Sequence, residues 1–126
     1  MIISLAGSSV HPDYMDITKD GYLMCSSAGN KIARVQVGTG TVVFNKSVPQ
    51  IQTPRGVSIA PDGSILVTDF QNKTLHLVSS QGVCIKQLWS APSDGDQDDP
   101  LYAVSTDGSV CVCVTVRGCV YILDCL

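Results

Sequence analysis

Apolar and polar residues alternate along this chain in short runs, and nearly every run stops at a turn-forming pair. The stretch from Pro54 to Gly82 shows it best. Val57-Ser58-Ile59 alternates, Pro61-Asp62-Gly63 turns, and Ser64 to Asp69 is a run rich in β-branched residues. Gln71-Asn72 turns again, Thr74 to Val78 alternates, and Ser79 to Gly82 leads into Val83 to Leu88. A period of two broken by Gly, Asn and Asp predicts four antiparallel strands joined by tight turns; nothing between them has the 3.6 period of a helix. The expected class is all-β.

The unit repeats. Asp20-Gly21, Asp62-Gly63 and Asp107-Gly108 are spaced by 42 and then 45 residues, and Pro12, Asn30-Lys31 and Gly40 recur 42 residues later as Pro54, Asn72-Lys73 and Gly82. The third copy takes three extra residues, assigned to the polar stretch Ser93 to Asp99, and leaves Pro100 one place out of register. Four strands on a period in the low forties is the signature of a β-propeller blade. Blade one is expected over 11–48, with strands Tyr14 to Ile17, Tyr22 to Ser26, Lys31 to Val37 and Thr41 to Asn45. Blade two covers 54–89. Blade three, 100–126, has strands Tyr102 to Ser105, Ser109 to Val114 and Cys119 to Leu123 but no outer strand, while 1–6 reads as the outer strand of a neighbouring blade.

Three blades in a line would leave two apolar faces and open strand edges in water. The expectation is a head-to-tail homodimer closing a six-bladed ring, with Ile2, Ile3 and Leu5 of one copy meeting Val120 and Ile122 of the other. The rival is a piece of a longer propeller.

Composition narrows the chemistry. With 126 residues, 44% of them apolar and 15% charged, the chain can bury a core. A net charge of −3 argues against a strongly electrostatic nucleic-acid binder. The apolar runs are too short to span a bilayer, and the first residues lack the basic and apolar regions of a signal peptide, so no membrane partner and a cytoplasmic location are expected. The six cysteines are then mostly free thiols serving as small apolar filler. They form no C-x-x-C pair, and two histidines are too few to complete a zinc site, so no metal or other cofactor is expected.

The second blade carries a family resemblance. Pro54-x-Gly56-Val57-x-Ile59-x-Pro61-Asp62-Gly63-x-Ile65-x-Val67-x-Asp69-x-x-Asn72 resembles an NHL repeat, and blade one keeps Pro12, Asp20-Gly21 and Gly29-Asn30. The family's arginine after the Asn is Thr74, Ile32 and Cys119 here, and its strand-end Asp is Asp69, with Ser27 and Val114 at the matching places. The resemblance implies a six-bladed propeller of the kind found at the C-terminus of tripartite-motif (TRIM) ubiquitin ligases, where it holds a protein or RNA target. The sequence shows no RING or B-box cysteine/histidine pattern, so no ligase activity is assigned to it.

Catalysis has little to stand on. His76, matched to Arg34 and Tyr121, is expected to face solvent, His11 precedes Pro12 at a turn, and no Ser or Cys is tied to either by motif. Asp94, Asp96 and Asp98 alternate like calcium ligands, but Asp99 stands where the loop needs Gly and Ser105 where it needs Glu. Binding is better supported. Loops between second and third strands and those entering first strands share one end of a propeller, and there the sequence puts Lys31, Arg55, Phe70, Lys73 and Arg117, together with Tyr14 and Tyr102. Cations beside aromatics suit a protein hot spot, or alternatively single-stranded RNA. The leading expectation is a non-catalytic module that recognises a protein target; the alternatives are an RNA-binding face and an architectural part of a larger TRIM-like ligase.

Overall fold

A computed structural model describes Ser4, residues 7–92 and residues 99–124. Eleven strands lie among them: β1 (Pro12–Ile17), β2 (Tyr22–Ser27), β3 (Lys31–Gln36), β4 (Thr41–Lys46), β5 (Pro54–Ile59), β6 (Ile65–Asp69), β7 (Thr74–Val78), β8 (Cys84–Ser90), β9 (Leu101–Thr106), β10 (Val110–Thr115) and β11 (Val120–Asp124). They form three antiparallel sheets in chain order, β1 to β4, β5 to β8 and β9 to β11. Ile2, Ile3 and Leu5, and the acidic run from Asp94 to Asp98, lie outside the described residues.

The turns hold because glycine takes the left-handed backbone cheaply: Gly21, Gly63 and Gly108 sit at φ 90°, 88° and 100° in the first hairpin of each sheet. The sheets stack as blades, β1 against β5 and β5 against β9. Successive residues of a strand point to opposite sides, so each blade has a trailing face toward the blade before it and a leading face toward the blade after it. Met24 and Ile32 on the leading face of blade one pack with Val57, Ile65, Val67 and Val78 on the trailing face of blade two. Leu66, Leu75 and Leu77 on blade two's leading face pack with Cys111, Cys113, Tyr121 and Leu123 of blade three. Each such leucine stabilises the stack by about 1.5–3 kcal/mol. Every residue of β6 and β7 is buried, since blade two is covered on both sides.

The inner strands approach closely at one point. A Cβ on Gly56 would lie 2.9 Å from both the Ala103 Cα and the Tyr102 carbonyl oxygen, so only glycine lets β9 come this near β5. On the outer side, Gly82 sits against Phe44 and Lys46 of blade one.

The register of blade three differs from the sequence expectation. Residues 18–22 and 60–64 turn the first hairpins of blades one and two, but 107–110 suffice in blade three, where Thr106 pairs with Cys111. The shorter turn brings Asp107-Gly108 forward. Cys111 and Cys113, not Val110 and Val112, therefore take the places of Ile65 and Val67, and the counterpart of Asp69 is Thr115 rather than Val114. Cys119 is exposed and precedes β11, so it is not core filler. Cys25, Cys84 and Cys113 are free thiols within strands, and Cys111 is disulfide-bonded.

Candidate functional site: the loop face of the blades

One end of the stack is built from the loops between second and third strands and the connectors that enter first strands. Each blade fastens its connector there with a hydrogen bond spanning sixteen residues. In blade one the His11 amide donates to Ser27 Oγ (3.1 Å). In blade two the Thr53 hydroxyl donates to Asp69 Oδ1 (2.7 Å). In blade three the Thr115 hydroxyl donates to Asp99 Oδ2 (2.7 Å), with the carboxylate now on the connector. Asp69 also accepts from the Gln52 and Thr53 amides and the Asn72 side chain. Burial pushes its carboxyl up, but the bonds from Gln52, Thr53 and Asn72 outweigh this and hold it below its ordinary value. Asp99 is held low in the same way: desolvation is outweighed by the Thr115 hydroxyl and the Arg117 amide, with Cys119 and the charge of Lys73 adding to them. These anchors fix the loops that carry the candidate binding residues.

The structure gathers those residues into two groups. The Arg55 guanidinium lies 5.3 Å from the centre of the Phe70 ring and donates to Asn30 Oδ1 of blade one (3.2 Å) and the Pro54 carbonyl (2.8 Å). A cation over a ring and fixed by two acceptors is preorganised at a blade junction. On the inner strands flanking β5, the rings of Tyr14 in β1 and Tyr102 in β9 stand 6.1 Å apart. The second group joins blades two and three, where Asp99 feels the charge of Lys73 and accepts the Arg117 amide. Lys73 holds the left-handed backbone of its turn at φ 58° and is half-buried. Lys31 opens β3 beside Gly29, joined to neither group by a described contact.

Asp99 closes an acidic stretch of the sequence and carries no local mark of this role. The signal that reveals it is the Thr53-to-Asp69 spacing repeated in reverse order at Asp99 and Thr115. Also unforeseen is a cleft of about 520 Å³ at the opposite end, lined by Asp16, Lys19, Arg34, Asp62 and Ser80 among others. Arg34 is engaged there as a tie between blades, lying over Tyr22 at 4.0 Å and donating to the Ser80 carbonyl (2.8 Å).

His76 does not face solvent. It is 3% exposed, paired in register with Val67 and therefore on blade two's trailing face, where Ala33 is its counterpart in blade one. Its Nε2 lies 2.9 Å from Thr74 Oγ1 and its Nδ1 3.9 Å from Cys84 Sγ. Burial lowers the histidine's pKa and raises the thiol's, so both groups are neutral near pH 7 and the pair lacks a thiolate nucleophile. Among the described residues, no group of three or more His, Cys, Asp or Glu side chains is placed to hold a metal ion.

No protein-family model matches the chain, and no curated protein is similar to it in sequence. Solved structures are similar in fold. Virginiamycin B lyase from Staphylococcus aureus superposes with a TM-score of 0.63 at 14% identity, over 96% of this chain and 43% of the lyase. The WD40 β-propeller domain of Doa1 gives 0.65 at 16% identity, over 86% of this chain and 34% of that one. The chain thus spans less than half the length of either. One neighbour is an enzyme and the other is a WD40 propeller domain, so the likeness reaches the architecture and not the activity. The chain has the β-propeller fold.

Proposed function

We propose that this chain is a non-catalytic recognition module whose loop face docks a protein target, in the manner the NHL resemblance implies. The observation that carries this reading is Arg55 held over Phe70 by Asn30 and Pro54, with the Tyr14–Tyr102 pair on the two inner strands that flank β5. Arginine and aromatic side chains are the commonest anchors of protein interfaces, and a guanidinium already fixed loses little entropy on binding. Lys31, and Lys73 and Arg117 at the junction of blades two and three, carry positive charge on loops of the same end, which favours a target segment carrying carboxylates.

The test is selection of binding peptides from a random display library against the chain, followed by titration against variants. Arg55→Ala and Phe70→Ala are expected to weaken the selected peptides about tenfold or more. Lys86→Ala, on exposed β8, leaves affinity unchanged. Peptides insensitive to both loop-face variants would overturn the assignment. A uridine-rich single-stranded oligonucleotide run alongside separates the alternative: tight, steeply salt-dependent binding lost with Arg55 and Phe70 would make the face an RNA site instead.

A further inference from the structure

We infer that the two end faces of the three-blade stack are halves of one more blade junction, and that the occupant of each is the opposite end of a second copy of this chain. Equivalent positions in successive blades differ in whether a neighbouring blade covers them, whatever the loop face binds. On the leading faces, Leu75 and Leu77 of blade two are 1% and 8% exposed because blade three covers them. Their register partners in β6 have counterparts in β10 that pair with Val120 and Ile122, and these stand 57% and 72% exposed. On the trailing faces, Val57 is 8% exposed under blade one, while Met15, which holds the same ladder position opposite Cys25 that Val57 holds opposite Val67, is 55% exposed. Ile17, in the position of Ile59, is 61% exposed.

The side chains at both ends are thus the apolar kind that blades bury, missing only their cover. The missing cover also has a known shape. What blade three's leading face lacks is a trailing face, and the free trailing face is on blade one. Laying blade one of a second copy on blade three repeats the geometry that already joins blades one and two and blades two and three. Propellers contain about four to eight blades. The three blades of two copies make six, within that range, so two such junctions suffice to close a ring.

Solution mass of the full chain, by light scattering over a dilution series under reducing conditions, is the measurement. The expected value is twice 13.3 kDa. Ile122→Asp and Met15→Asp each place a charge in both junctions and are expected to raise the dimer dissociation constant at least about a hundredfold. Protected amides in β6 and β7, remote from both ends, verify that each variant is folded. A folded wild-type monomer, or a mass that keeps rising with concentration, would overturn the closed pair. A dimer that responds to Ile122→Asp but not to Met15→Asp would overturn the head-to-tail arrangement in favour of leading face on leading face.

Discussion

His76 is neutral in the folded chain because burial disfavours its charge more than the nearby Asp69 favours it. Its folded pKa therefore lies below 6.5, and the unfolded chain takes up the proton first as pH falls. That contribution to stability is complete above pH ~6.5 and is lost as pH drops through the folded value. Thermal melts should fall between pH 7 and pH 5, and His76→Gln should flatten that slope. For Asp69 the folded carboxyl is depressed, so its contribution is present above pH ~4 and disappears on further acidification. Asp69→Ala strips the acceptor from the Gln52 and Thr53 amides and is expected to cost about 2 kcal/mol in denaturant unfolding. Gly56 makes a purely steric demand, with backbone atoms on the space a methyl group would need. Gly56→Ala should destabilise by about 1–3 kcal/mol, whereas Gly38→Ala, with open space around it, should change stability by less than about 0.5 kcal/mol.

Blade two is the element on which the others depend. Its two central strands are buried throughout, so β6 and β7 amides should exchange most slowly and those of β1 and β11 faster, as measured by hydrogen exchange. Leu66→Ala should cost about 2–5 kcal/mol; Ile85→Ala, on a half-exposed outer strand, should cost far less. The same double burial explains what the sequence concealed. Alternation and the Asp-Gly turns marked the strands of blades one and two well, because glycine at positive φ is a local demand that residues announce directly. Burial on both faces, however, erases the polar side of the pattern, and so His76 between Leu75 and Leu77 carried no sign of which way it pointed. In blade three the turn marker itself misled: a hairpin one residue shorter moves Asp107-Gly108 without moving β10. Arg55 over Phe70 was legible as types and loops, but its pairing with Asn30 belongs to a junction between blades that no single repeat encodes.

Across the three blades, apolar side chains remain in water at both end faces: Met15 and Ile17 on blade one, and Val120 and Ile122 on blade three, are each more than half exposed. An association that covers these faces is driven by burial rather than charge, so raising salt from 50 to 500 mM should not dissociate it. Within the stack, the sixteen-residue hydrogen bonds from His11 to Ser27, Thr53 to Asp69 and Asp99 to Thr115 act as a ruler, re-zeroing each blade on its own second strand. The connector upstream of each ruler is released from that count. The chain already exploits this freedom: the step from Thr53 to Asp99 is four residues longer than the step from His11 to Thr53, yet β9 to β11 form the same ladder. Connectors of this kind are where a lineage can lengthen, trim or graft sequence while the blades on either side stay in phase.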